Sequence, residues 1–96
     1  MLIASLENYK KAIEYFTKTI EQIEKDFTES SLAHPQNQAV QVLKYQLISN
    51  TAFAYLKLAN YTEVFKYCDK VLQHDPTNLK ALYRRALAHI EISKSC

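Results

Sequence analysis

Apolar residues return every three or four positions through most of this chain, the mark of helices that bury one face. Tyr9, Ala12, Ile13, Phe16, Ile20, Ile23 and Phe27 form such a stripe, and the spacing predicts a long amphipathic helix over residues 8 to about 27. Small polar residues and Pro35 interrupt it over 28–36, so a loop is expected there. A second long helix is expected from 36 or 37 to about 58, through Val40, Val42, Leu43, Leu47, Ile48, Ala52, Tyr55 and Leu58. Ala59 and Asn60 leave room for a short turn, and a third helix from 61 to about 74 would carry Val64, Phe65, Cys68, Val71 and Leu72 inward. Asp75 and Pro76 stop that helix, and Thr77 or Asn78 can cap the next. The fourth helix, to about residue 92, has apolar residues at 79, 82, 86, 87 and 90, and the residues 93–96 are expected to fray.

Composition narrows the fold class. The 96 residues are 48% apolar and 23% charged, which suits one small domain. Glycine is absent, and proline occurs only at 35 and 76. Hairpins, phosphate-cradling loops and nucleophile elbows lean on glycine for positive φ, so an all-α chain with short turns is expected and an enzyme is not. No metal or cofactor is expected either: His34, His74 and His89 fall on a loop, a helix end and a helix interior, with no carboxylate or cysteine at metal spacing. A net charge of +2 makes no case for nucleic acid. Glu7/Lys11, Glu14/Lys18 and Glu21/Lys25 alternate in sign at i, i+4, as on a solvated helix face. Cys68 in the apolar stripe and Cys96 at the terminus make no disulfide framework, no stretch is long enough to cross a membrane, and the first residues lack a basic leader, so a cytoplasmic location is expected.

The chain also repeats itself. Residues 8–18 align with residues 60–70 at an offset of 52, while Ile48, Ala52, Phe53, Ala54 and Leu56 recur as Leu82, Ala86, Leu87, Ala88 and Ile90 at an offset of 34. Thirty-four is the tetratricopeptide period, and the larger offset is that period lengthened in the first helix, its loop and the start of the second helix. Residues 45–78 resemble one complete tetratricopeptide repeat: Ile48, Ala52, Tyr55, Tyr61, Val64, Cys68, Val71 and Pro76 stand at its signature positions, with Val64 and Cys68 in place of the usual Ala and Phe. The resemblance implies about four helices in a right-handed superhelical stack of helix-turn-helix repeats. Its divisions would be a partial first repeat over 1–34, a full second over 45–78 and the first helix of a third over 79–93. More narrowly, Leu56-Lys57-Leu58, Tyr61-Thr62-Glu63, Tyr67-Cys68-Asp69-Lys70 and Lys80-Ala81-Leu82-Tyr83-Arg84-Arg85 resemble the repeat domain of the large immunophilin heat-shock co-chaperones. That resemblance allows a prolyl isomerase domain elsewhere in a longer parent protein.

Helical phase gathers a candidate site. Asn50, Phe53 and Lys57 share one face of the second helix, Lys80, Arg84 and Leu87 share the equivalent face of the fourth, and stacked repeats would set the two faces side by side. Three cations, an amide and two apolar residues suit an extended peptide that ends in carboxylates. Lysine supplies a point charge, arginine a planar fork and Asn50 an amide donor, while Phe53, Tyr83 and Leu87 can hold an apolar side chain just upstream. In the co-chaperone family such an arrangement is a carboxylate clamp for the C-terminal Glu-Glu-Val-Asp tail of heat-shock chaperones (Hsp90/Hsp70 class). The resemblance matches Asn50, Lys80 and Arg84 to three of its five positions. The other two belong to the first helix of the first repeat: Met1 falls where clamp proteins often have Asn, and the clamp Lys would precede the chain. Arg85 is expected to point outward or between helices. Apolar faces at both ends are expected to favour self-association, and the rival reading is a structural or oligomerising segment that binds no tail. No nucleic-acid or membrane partner is expected.

Overall fold

The structure, a computed structural model, describes residues 2–94. Its helices are α1 (Leu2–Asp26), α2 (Glu29–Leu32), α3 (Gln38–Lys57), α4 (Tyr61–His74) and α5 (Leu79–Lys94), with a 3-10 turn at Pro35–Asn37 ahead of α3. No strand occurs among the described residues. α1 packs on α3, α3 on α4 and α4 on α5, while α5 also reaches α3, so α3 and α5 lie side by side on one surface of a slab 45 × 29 × 16 Å. The short turns after α3 and α4 reverse the chain each time, and α3 and α5 therefore run in the same direction.

Three boundaries differ from the expectation, each for a local reason. α1 begins at Leu2 instead of residue 8, since nothing between them breaks a helix and Leu6 is half-buried. The expected loop contains a single helical turn: the Thr28 hydroxyl accepts a hydrogen bond from the Ser31 N–H at 3.0 Å, and Leu32 plugs into the core. α5 runs on through Lys94, held by a Ser93 hydroxyl that donates to the His89 carbonyl and a Lys94–Glu91 ion pair. Asn78, not Thr77, caps α5, its Oδ1 accepting from the Ala81 N–H at 2.9 Å; Thr77 instead donates to Asp75. Met1 and Cys96, to which the sequence reading assigned roles, lie outside the described residues.

The core joins α1 (Ile20), α3 (Ile48, Ala52), α4 (Val64, Tyr67, Cys68, Val71) and α5 (Ala81, Ala88). Tyr55 and Tyr67 stack across α3 and α4 with centroids 5.7 Å apart. Small residues at Ala52, Ala81 and Ala88 let the helices approach closely. The turn from α3 to α4 is a Schellman motif in which Ala59 takes the left-handed conformation, φ 57°, a position usually held by glycine. Asn60 N–H bonds the Tyr55 carbonyl and Ala59 N–H the Leu56 carbonyl, both at 3.0 Å. On the solvated face of α1, Glu7 pairs with Lys10 at 3.4 Å rather than with Lys11.

Candidate functional site

The concave candidate surface is the trough between α3 and α5, floored by the end of α4. Asn50 and Lys80, expected to share a groove, do line one cavity of about 680 Å³, together with Gln46, Ser49, His74 and Asn78. Both side chains are exposed and therefore available. His74 is held flat against Tyr45, ring centroids 3.8 Å apart and planes at 6°, which closes one end of the trough. Asp75 also lines it, and its Oδ1 accepts from the Thr77 N–H and hydroxyl, at 3.2 and 2.9 Å.

The remaining site residues gather further along the same helix pair, around Phe53. Lys57 Nζ lies 5.3 Å and the Arg84 guanidinium 5.1 Å from the Phe53 ring centroid, and Tyr9 of α1 meets the same ring edge-on at 6.2 Å. Two cations share one aromatic ring, an arrangement whose mutual repulsion favours an arriving anion. Leu87 sits half-buried one helical turn beyond Arg84, in phase with Lys80. Tyr83 is exposed on the shoulder of α5, lines neither the trough nor the Phe53 cluster, and so is not brought together with the other six.

Arg84 departs from the picture of a freely exposed cation. Its Nη1 donates to the Ser49 carbonyl at 2.8 Å and to the Ser49 hydroxyl at 2.9 Å, and the residue is only partly accessible. Burial lowers its pKa from the ordinary arginine range, though a guanidinium stays protonated under any ordinary condition. Nη1 is thus spent on the scaffold, while Nε and Nη2 keep their donors. Ser49 escaped sequence reasoning because a serine inside an apolar helical pattern gives no sign that a residue 35 positions later will bond its backbone. Tyr9 was read as a core position and proves to brace the site. Arg85 is interhelical, paired with Asp69 of α4 at 2.9 Å. Cys68 is buried among the packed core residues, and its thiol is pushed up, chiefly by desolvation. Among the described residues no group of His, Cys, Asp and Glu could hold a metal ion, and no helix is long and apolar enough to cross a membrane.

Comparison with known proteins agrees with this geometry at the level of fold. The family model of the Fis1 C-terminal tetratricopeptide repeat matches residues 45–94, which span most of α3, all of α4 and α5. The human peptidyl-prolyl cis-trans isomerase FKBP4 is 32% identical over 85 residues, covering 88% of this chain, and its mouse counterpart is equally similar. Human sperm-associated antigen 1 is 49% identical over 43 residues, or 45% of this chain. The chain spans 18% of the length of the isomerase and 5% of that of the antigen. No solved structure matches the chain.

Proposed function

The chain belongs to the tetratricopeptide-repeat family of protein-interaction modules, and from that premise we propose that its α3–α5 groove captures the free C-terminal carboxylates of an acidic peptide. The ligand class is the Glu-Glu-Val-Asp tail of heat-shock chaperones (Hsp90/Hsp70 class), and the module acts as a non-enzymatic co-chaperone domain of the immunophilin kind in the cytosol. The free, buried Cys68 thiol suits that reducing compartment. Similarity to the isomerase FKBP4 over most of the chain supports the kinship.

One observation carries the reading. The Arg84 guanidinium is fixed by Ser49 and Phe53 before any ligand arrives, so its Nε and Nη2 donors are presented as a rigid fork. A prepaid orientation spares the entropy that a mobile side chain loses on binding. Lys57 adds a second positive charge at the same ring, while Asn50 and Lys80 reach the backbone and outer carboxylates from the trough. Phe53 and Leu87 offer the apolar contact; Tyr83, on the shoulder of α5 outside the groove, takes no part in it. The repeat divisions that go with this reading are 1–34, 45–78 and 79–93.

Anisotropy titration of a labelled Met-Glu-Glu-Val-Asp peptide tests it. Charge-assisted hydrogen bonds contribute about 1.5 to 3 kcal/mol each, so amidating the C-terminus should weaken binding by at least about tenfold. Raising the salt concentration should weaken it further. Equal affinity for the free acid and the amide would overturn the proposal.

A further inference from the structure

The two ends of the slab carry faces whose counterparts inside the chain are buried. On α5, Leu79, Leu82, Ala86 and Ile90 follow one another at spacings of three and four, with Tyr83 beside Leu82, and all are exposed. At the offset of 34, Leu82 and Ala86 correspond to Ile48 and Ala52 of α3; Leu82 is 38% exposed where Ile48 is 3%. On α1, Ala12, Tyr15, Phe16 and Thr19 correspond at the offset of 52 to Val64, Tyr67, Cys68 and Val71 of α4, all four buried. Tyr15 is 71% exposed where Tyr67 is 9%.

These faces are the two halves of one interface. α3 presents Ile48 and Ala52 to α4, and α4 answers with Val64, Tyr67 and Val71. The open stripe of α5 is the α3 half of that contact and the open face of α1 the α4 half, each uncovered among the described residues. We propose that this chain associates head to tail, the α5 stripe of one copy docking on the α1 face of the next. The internal template assigns the pairs: His89, which stands where Tyr55 does, would lie against Tyr15 of the next copy, repeating the Tyr55–Tyr67 stack. Leu82 would meet Tyr15 and Thr19, and Ala86 would meet Ala12.

Such a contact is heterologous, since it joins different surfaces, and can extend beyond a dimer. It leaves the concave surface open. Lys80 and Arg84 of one copy would stand beside α1 and α3 of the next, carrying the cationic groove across the junction. One helix face on each side is a small interface, so the association is weak and concentration-dependent.

Sedimentation velocity on the 96-residue chain from micromolar to millimolar concentration tests this, using two variants altered only at exposed positions. Leu82→Glu/Ile90→Glu disables the α5 face and Tyr15→Glu the α1 face; circular dichroism checks that each stays helical. The wild type should climb past twice its 11.1 kDa monomer mass, each variant alone should remain a monomer, and an equimolar mixture of the two should stop at a dimer. A monomeric wild type at millimolar concentration overturns the proposal. So does self-association of either variant alone, which would mean that like faces pair. As a readout independent of those variants, His89→Cys and Tyr15→Cys chains on a Cys96→Ser background should cross-link with each other at least several-fold faster than either does with itself; equal rates overturn the assigned register.

Discussion

The two flanks of α3 are built on opposite rules. Toward α4 and the core, Ile48 and Ala52 pack against Val64, Tyr67 and Val71 with scarcely any accessible surface left, and half-buried Tyr55 stacks on Tyr67. Toward the groove, Ser49, Asn50, Phe53 and Lys57 keep donors, charge and an aromatic face accessible, and a half-buried anchor, Arg84 on Ser49, ties α5 to that side. The first flank is held by area and shape, which tolerate no polar intrusion. The second is held by a few directed bonds, which leaves α3 and α5 close enough for one ligand to touch both.

That contrast can be broken most severely in the core. Ile48→Ala should cost about 2–5 kcal/mol by urea unfolding, whereas Leu82→Ala, its counterpart on the open stripe of α5, should stay within about 0.5 kcal/mol of wild type. Comparable losses at the two positions would show that α5 is covered in the isolated chain. The groove flank should separate stability from binding. Arg84→Ala removes the guanidinium bonds to the Ser49 carbonyl and hydroxyl, and is expected to lower stability by about 1–3 kcal/mol and to weaken tail binding together. Lys80→Ala, exposed and without an anchor, should leave the unfolding midpoint in place while weakening tail binding by about tenfold.

A smaller effect belongs to alkaline pH. Burial raises the pKa of Cys68, and of Tyr55 and Tyr67, above their ordinary ranges. Each group therefore holds its proton in the folded state at a pH where the unfolded chain has lost it. Stability is full below about pH 9, the ordinary thiol value, and falls as the pH climbs through the thiol and then the phenol range. Urea midpoints followed upward from pH 8 should decline accordingly, and Cys68→Ala should remove the earlier part of the decline. The smallest change concerns the turn that separates the flanks. Ala59→Gly relieves the left-handed backbone at φ 57° and should raise the unfolding free energy by about 0.5–1 kcal/mol, with peptide affinity unchanged.

The packed flank was legible in the sequence and the groove flank only in part. Val64, Cys68 and Val71 announce themselves because burial imposes apolar residues at helical spacing, and the absence of glycine excluded most architectures with strands. The internal offset of 34 set the relation between α3 and α5, and with it the meeting of Asn50 with Lys80 and of Phe53 with Arg84. What stayed hidden depends on side-chain geometry across long sequence separations: the Ser49 anchor, the Tyr9 brace on Phe53 and the Tyr45–His74 stack that closes the trough. The pattern at 79, 82, 86 and 90 misleads in the other direction, since a regular apolar stripe there faces solvent and the buried residues of α5 are Ala81 and Ala88. Helical periodicity reveals which face seeks a partner; it does not reveal whether the partner lies within the chain.

The most direct test of the groove as the recognition surface is a two-dimensional ¹⁵N–¹H titration of the labelled chain with unlabelled Met-Glu-Glu-Val-Asp, at a protein concentration low enough to keep it monomeric. The amides of Asn50, Phe53, Lys57, Lys80, Arg84 and Leu87 should shift progressively, while those of Tyr15, Thr19 and the outer face of α4 stay fixed. Shifts confined to the outer faces of α1 or α4, or none at saturating peptide, would contradict the assignment of α3 and α5 as the binding walls.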